Sequence, residues 1–151
     1  MTTKLLIIGA KGKLGSRILT MSADNGAYSV VGVDVDAVDI ADFSATQGYI
    51  RHIAPNIVIN CAAWTDVDGC AKDPQRAMQI NGFGAGNIAI ASAEIGVPMV
   101  QISTNEVFDG RKGEPYLEFD RRNPINAYAR SKYMAERYVE TFLQRFYIVR
   151  I

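Results

Sequence analysis

Tyr128-Ala129-Arg130-Ser131-Lys132 sets a phenol and an ammonium four residues apart, on one face if the segment is helical. An ammonium beside a phenol stabilises phenolate. The pairing therefore predicts a tyrosine whose pKa is drawn down towards neutrality, serviceable as a general acid or base. Ser103 and Thr104 add two hydroxyls directly after the apolar run Met99–Ile102. Earlier in the chain, Gly9-Ala10-Lys11-Gly12-Lys13-Leu14-Gly15 forms a GxxGxxG pattern between an apolar run and a helical one. Glycines there let backbone amides come close to a pyrophosphate, and a helix opening near Leu14 aims its partly positive end at the same anion. Without a ligand, the pattern serves equally as a tight strand–helix turn.

The elements that must position these groups follow a simple rhythm. Lys4–Ile8, Tyr28–Val33, Asn56–Cys61, Pro98–Ile102 and Tyr147–Ile151 are short apolar runs and read as strands. Leu14–Ala23, Phe43–Ile53, Pro74–Ile95 and Asn126–Gln144 read as helices, and Asn105–Pro124, with two glycines and two prolines, reads as a long loop. Strands apolar on both faces that alternate with helices predict an α/β fold: a Rossmann-type, doubly wound parallel sheet with helices on both faces. Such sheets bind ligands beyond the carboxyl ends of their strands, where every group named so far falls. Asp34 closes the second strand, 19 residues after Gly15. A carboxylate there can accept adenosine ribose hydroxyls and would repel a 2′-phosphate, which favours NAD(H). Lys11 and Lys13 can offset that repulsion and leave room for NADP(H). Asp34 also suits a plain strand-end turn.

Composition narrows the function classes. Sixteen basic and sixteen acidic residues leave no net charge to gather nucleic acid or an anionic membrane. The apolar run Leu5–Ile8 is too short for a signal core, and Ile80–Val100 is interrupted by Asn81, Asn87 and Glu94, so no membrane span is expected. The two cysteines, Cys61 and Cys70, lack CxxC spacing and are expected reduced in a cytoplasmic protein. His52 is the only histidine, so no histidine-based metal site is expected.

Three longer stretches carry a family resemblance. They are Ile59-Asn60-Cys61-Ala62-Ala63-Trp64-Thr65-Asp66-Val67-Asp68, Ile102–Gly110, and Pro124–Lys132. With the glycine pattern and Asp34, in this order and spacing, the chain resembles the extended short-chain dehydrogenase/reductases. Within them it resembles the family of dTDP-4-dehydrorhamnose reductases, which serve dTDP-L-rhamnose synthesis. The resemblance implies that Gly9, Gly12, Lys13, Leu14 and Gly15 hold the pyrophosphate and Asp34 the ribose. Asp39 and Ile40 would border adenine, and Ala62, Ala63, Trp64 and Thr65 would line the cofactor. Lys132 would bind the nicotinamide ribose and tune Tyr128. Thr104 would hydrogen-bond a substrate carbonyl, with Asn105 and Glu106 beside the substrate. Tyr128 would protonate the carbonyl oxygen as NAD(P)H delivers hydride to C4 of a nucleotide-linked deoxysugar.

Two departures qualify the resemblance. The reductases read Asp-Tyr after Ser-Thr, where this chain has Asn105-Glu106. The related 4,6-dehydratases read Asp-Glu, so Glu106 leans towards a dehydratase or epimerase, while the amide of Asn105 cannot donate the proton that elimination needs. The family also continues well past this helix. Residues 1–151 are thus expected to be the cofactor-binding domain, without the smaller substrate domain and with little turnover of their own. The expected partner is a nucleotide-linked sugar, with pairing of two copies expected by analogy. The regulatory subunit of methionine adenosyltransferase resembles the same reductases, so a non-catalytic NAD(P)-binding role is the alternative from another class.

Overall fold

A computed structural model describes residues 2–151. Five strands form one all-parallel sheet: β1 (Thr3–Ile8), β2 (Tyr28–Val33), β3 (Ile57–Asn60), β4 (Met99–Ser103) and β5 (Phe146–Arg150), in the order β2-β1-β3-β4-β5. Leu5 to Ile8 are buried on both faces, as the unbroken apolar run requires of a central strand. The chain steps one way from β1 to β2 and the other way from β1's far side through β3 to β5. The switch point therefore lies between β1 and β3, and a crevice opens beyond their carboxyl ends.

The helices are α1 (Lys13–Ala23), α2 (Phe43–Ile53), α3 (Val67–Lys72), α4 (Pro74–Ala77), α5 (Gly84–Glu94) and α6 (Ala127–Phe142). Right-handed crossovers put α1 on one face and α2, α5 and α6 on the other. The main core lies on the second face: Leu6, Ile8, Val58 and Met99 from the sheet meet Ile50, Ile88, Ala89 and Val139 from the helices and Leu143 just after α6. Asp42 caps α2 through the Ala45 amide, and Asn126 caps α6 through the Ala129 amide at 2.7 Å. Pro55 follows Ala54, which closes α2 with φ of 46°.

The structure departs from the sequence reading in four places. The edge strands are not apolar on both sides in a buried sense: β2 is largely exposed, and Tyr147 and Val149 of β5 face outward on the α1 side. The single helix expected over Pro74–Ile95 is α4, a π-helical turn over Met78–Phe83, and α5. The short helix α3, capped by Asp66, lies in a stretch without apolar periodicity. The long loop opens with a 3₁₀ turn at Asn105–Val107. Among the described residues, no helix is long and apolar enough to cross a membrane, and no grouping of three His, Cys, Asp or Glu side chains is disposed to hold a metal ion.

Candidate active site

The crevice at the switch point is a cleft of about 990 Å³. One wall is the glycine turn. Gly9 has φ of 81° and packs so tightly on the Cys61–Ala62 backbone that a Cβ would lie 2.5 Å from the Ala62 nitrogen. Gly12 lines the cleft and exposes bare backbone to it. Asp34, at the end of β2, accepts the Lys11 amide at 2.8 Å and the Val35 amide at 2.9 Å, tying the turn to the neighbouring strand. The Lys11 ammonium pairs with Asp36 at 2.8 Å on the exposed rim. Asp39 and Ile40 complete this end; Ile40 is buried against Gly84 of α5, where a Cβ would meet its side chain at 2.7 Å. Next to the glycine turn, Ala62, Ala63 and Trp64 continue the lining, followed by Gln75, Arg76, Gln79 and Ile80. The Arg76 guanidinium carbon lies over the Trp64 ring, 4.8 Å from its centroid.

A second cluster lies beyond Trp64. Thr104, at the end of β4, is buried, and its hydroxyl faces the Asn105 side chain at 3.4 Å and accepts the Glu106 amide at 3.2 Å. Tyr128, in the first turn of α6, is 9% exposed, and its ring packs with Cys70, Ala77 and Trp64. Its phenol stands above the ordinary tyrosine range: burial and the Glu106 carboxylate push it up, and the neighbouring Thr104 hydroxyl only partly pulls it back. This corrects the expectation that Lys132 draws it down. The Lys132 ammonium is turned to the sheet, donating to the Ile102 carbonyl at 2.7 Å. Burial lowers Lys132 to about 8, against the upward pull of Glu136 and Cys61. Burial likewise pushes the Cys61 thiol up to about 11, in spite of the Lys132 charge.

Three buried side chains hold the two clusters in register. Asn81, on the π-helical turn, clamps Trp64 by accepting its amide at 2.7 Å and donating to its carbonyl at 3.0 Å. Asn81 also donates to the Ser131 hydroxyl at 3.0 Å, which in turn donates to the Tyr128 carbonyl at 2.7 Å. The π turn thus serves a purpose: it sets an amide where both the cleft wall and α6 can be reached. Asn60 donates to Gln101 at 2.9 Å and accepts the Ala62 amide at 3.1 Å, fixing the turn after β3. Glu136, fully buried one turn after Lys132, accepts from Ser103, Arg122 and Arg150.

Of the residues singled out from sequence, Gly9, Gly12, Asp34, Asp39, Ile40, Ala62, Ala63 and Trp64 line the cleft. Lys13 and Leu14 open α1 exposed to solvent, Gly15 is buried behind Gly9, and Thr65 is exposed; none of the four lines the cleft. Thr104, Asn105, Glu106, Tyr128 and Lys132 form the second cluster. Arg76, Gln79, Asn81 and Glu136 were not foreseen; the polar, cap-like run Asp73-Pro74-Gln75-Arg76 carried no motif to mark it.

Sheet order, the glycine turn and the strand-end aspartate define a Rossmann-type dinucleotide-binding fold. A family model described as the RmlD substrate binding domain matches residues 3–151, and the chain belongs to that family. It is 38% identical to a dTDP-4-dehydrorhamnose reductase of Streptomyces griseus over 146 residues, 96% of this chain and 48% of the relative. The fold matches the crystal structure of a dTDP-4-dehydrorhamnose reductase from Clostridium acetobutylicum with a TM-score of 0.94 and 40% identity, over 98% of this chain and 52% of that one. The corresponding Bacillus anthracis structure, in complex with NADP, matches with a TM-score of 0.96 and 38% identity, over 99% and 53%. The chain therefore spans about half the length of the relatives it matches. A UDP-glucose 4-epimerase from Thermotoga maritima, 24% identical with a TM-score of 0.88 over 98% of this chain and 55% of that one, shares the fold.

Proposed function

We propose that this chain is the cofactor-binding part of an NAD(P)H-dependent reductase acting on the 4-keto group of a nucleotide-linked deoxysugar, such as dTDP-4-dehydrorhamnose. The observation that carries the reading is the convergence of Thr104, Glu106, Tyr128 and Lys132 at the end of β4, next to Trp64, which also lines a dinucleotide-sized cleft. The cleft suits the cofactor because Gly9 and Gly12 bring backbone without side chains to its lining. The glycine turn, including Gly15 behind it, faces the pyrophosphate, with Lys13 and Leu14 opening the helix above it. Asp34 takes the adenosine ribose, Asp39 and Ile40 border adenine, and Ala62, Ala63, Trp64 and Thr65 follow the cofactor towards its nicotinamide.

A bound reduced nicotinamide supplies hydride to the sugar C4. Tyr128 donates its proton to the carbonyl oxygen, and a phenol held above its ordinary range is fully protonated at neutral pH, as a donor must be. Thr104 hydrogen-bonds the same oxygen and Lys132 the nicotinamide ribose. Asn105 and Glu106 border the sugar. Glu106 is held by the Asn126 amide at 2.7 Å, and Asn105 beside it has no acidic proton, which favours reduction over elimination.

Asp34 favours NAD(H); Lys11, paired with exposed Asp36, is the cation that can turn to a 2′-phosphate, so NADP(H) is accepted with a lower preference. On this reading the smaller substrate domain lies outside residues 1–151. Trp64 is the sole tryptophan and lines the cleft, so NADH binding quenches its fluorescence. Extended to the full length of its relatives, the protein oxidises NADH with dTDP-4-dehydrorhamnose, and Tyr128→Phe abolishes this. Unquenched Trp64 at millimolar NADH and NADPH would sink the cofactor assignment. Tight NADH binding without keto-sugar reduction would mark a non-catalytic regulator.

A further inference from the structure

Lys11 and Arg76 are the two cations that line the cleft, against three carboxylates: Asp34, Asp39 and Asp73. Each carboxylate accepts a backbone amide: Asp34 from Lys11, Asp39 from Ala41 and Asp73 from Arg76. None of those bonds neutralises charge, so the bare cleft is a poor host for a doubly charged pyrophosphate. Lys11 is already paired with Asp36. Among the described residues, Arg76 has no carboxylate within ion-pairing distance and no side-chain hydrogen bond. Its only strong contact is the face of Trp64. A guanidinium over an aromatic ring with no carboxylate partner keeps its N–H groups free, and its planar fork matches two oxygens of a phosphate.

The place is as telling as the charge. Arg76 lines the same crevice as Gly9 and Gly12, so its guanidinium and the glycine turn face one shared space. Trp64, on which it rests, is clamped at both its amide and its carbonyl by buried Asn81, so the platform beneath the guanidinium is rigid. The Asp73 carboxylate that caps the Arg76 amide fixes the start of the helix bearing it.

We propose that Arg76 is a clasp for the pyrophosphate of the bound dinucleotide, reaching from Trp64 to the phosphates that the glycine turn faces. The inference rests on the dinucleotide reading above and adds to it the residue that supplies the missing positive charge. The test is a titration of the chain with NADH and with ADP-ribose, which carries the same pyrophosphate but no nicotinamide, followed by calorimetry at low and high salt. Arg76→Gln removes the charge at an exposed position and leaves the fold intact, checked by thermal melting.

The expected result is a rise in Kd of at least about tenfold for both ligands, with a weaker salt dependence than in the unaltered chain. Arg76→Lys recovers the salt dependence and only part of the affinity, because a point charge cannot chelate two oxygens. Unchanged affinity of Arg76→Gln for both ligands, within twofold, would overturn the clasp and leave the cofactor assignment standing. Loss confined to NADH would overturn the pyrophosphate contact and move Arg76 to the nicotinamide end. An unaltered chain that takes up neither ligand would overturn the cofactor assignment and the clasp together.

Discussion

The Ser103 hydroxyl donates to the Glu136 carboxylate across 2.6 Å, and this bond joins the residue before Thr104 to the helix that carries Tyr128 and Lys132. Arg122 reaches the same carboxylate at 2.8 Å and Arg150 at 2.9 Å, so one buried charge ties β4, β5, α6 and the long loop together. Removing it leaves the buried Ser103 hydroxyl without its partner and takes the carboxylate from Arg150, which keeps the Glu118 carbonyl, as Arg122 keeps Glu140. Glu136→Ala is expected to cost about 3–5 kcal/mol in urea unfolding. Burial pushes the Glu136 carboxyl up, but the bonds from Arg150, Ser103 and Arg122 outweigh it and hold the group below the ordinary range. A carboxyl depressed on folding adds stability that is present above pH 4.5 and lost as the pH falls below it. Glu136→Gln therefore flattens the acid side of the stability curve, and an unchanged acid limb would contradict this account.

The Tyr128 phenol gives a second measurement. Burial raises it and the Glu106 carboxylate adds to the rise. Glu106→Gln keeps an oxygen within reach of Asn126 and removes the charge. The phenol of this variant titrates at lower pH than that of the unaltered chain, read as the ultraviolet phenolate difference against Tyr128→Phe. A shift in the opposite direction would mean that Glu106 acts on Tyr128 through packing and not through its charge.

These two sites show where a linear reading runs out. The strands were legible because Leu5–Ile8 or Ile57–Ile59 are apolar at every position, and the glycine turn because Gly9 and Gly15 meet locally. Tyr128 and Lys132 were legible as a pair on one helix, but their electrostatics were not. The direction of the phenol's shift depends on Glu106, 22 positions earlier, and Lys132 spends its charge on the carbonyl of Ile102. The π turn at Met78–Phe83 needs Trp64 and Ser131 to satisfy Asn81, contacts at separations of 17 and 50 residues. Helix α3 escaped notice because Asp66-Val67-Asp68-Gly69-Cys70 buries only Cys70 and is held mainly by its cap.

Lys132 predicts an alkaline signature. Its pKa falls from 10.5 to about 8 on folding, chiefly through burial. Between those values the unfolded chain holds a proton that the folded chain has released, so this group's contribution to stability rises with pH across the window. Below about 8 the buried ammonium is a cost, offset in part by the bond to Ile102. Lys132→Met is therefore expected to be as stable as the unaltered chain near neutrality, or more so, and to lose the rise between pH 8 and 10. Urea unfolding of both proteins at pH 7, 8, 9 and 10 measures the difference; parallel curves would show that the lysine keeps its proton.

Two glycines separate packing from conformational freedom. A Cβ on Gly15 would sit 2.1 Å from the Gly9 carbonyl oxygen and 2.9 Å from the carbon of that carbonyl, backbone that cannot step aside without moving α1 off the glycine turn. Gly48 lies inside α2 with nothing within 4 Å of an added Cβ, and its φ is not in the left-handed region. The same change to alanine has opposite effects at the two sites. Gly48→Ala lowers the entropy of the unfolded chain and gains about 0.5–1 kcal/mol, a rise of roughly 1–4 °C in melting temperature. Gly15→Ala loses at least about 1–3 kcal/mol to overpacking and weakens NADH binding with it, because the clash displaces the turn that faces the cleft. A Gly15→Ala chain that melts normally and quenches Trp64 normally with NADH would show that the helix can shift on the strand at little cost. The close packing of Gly15 on Gly9 would then not be what shapes the phosphate turn.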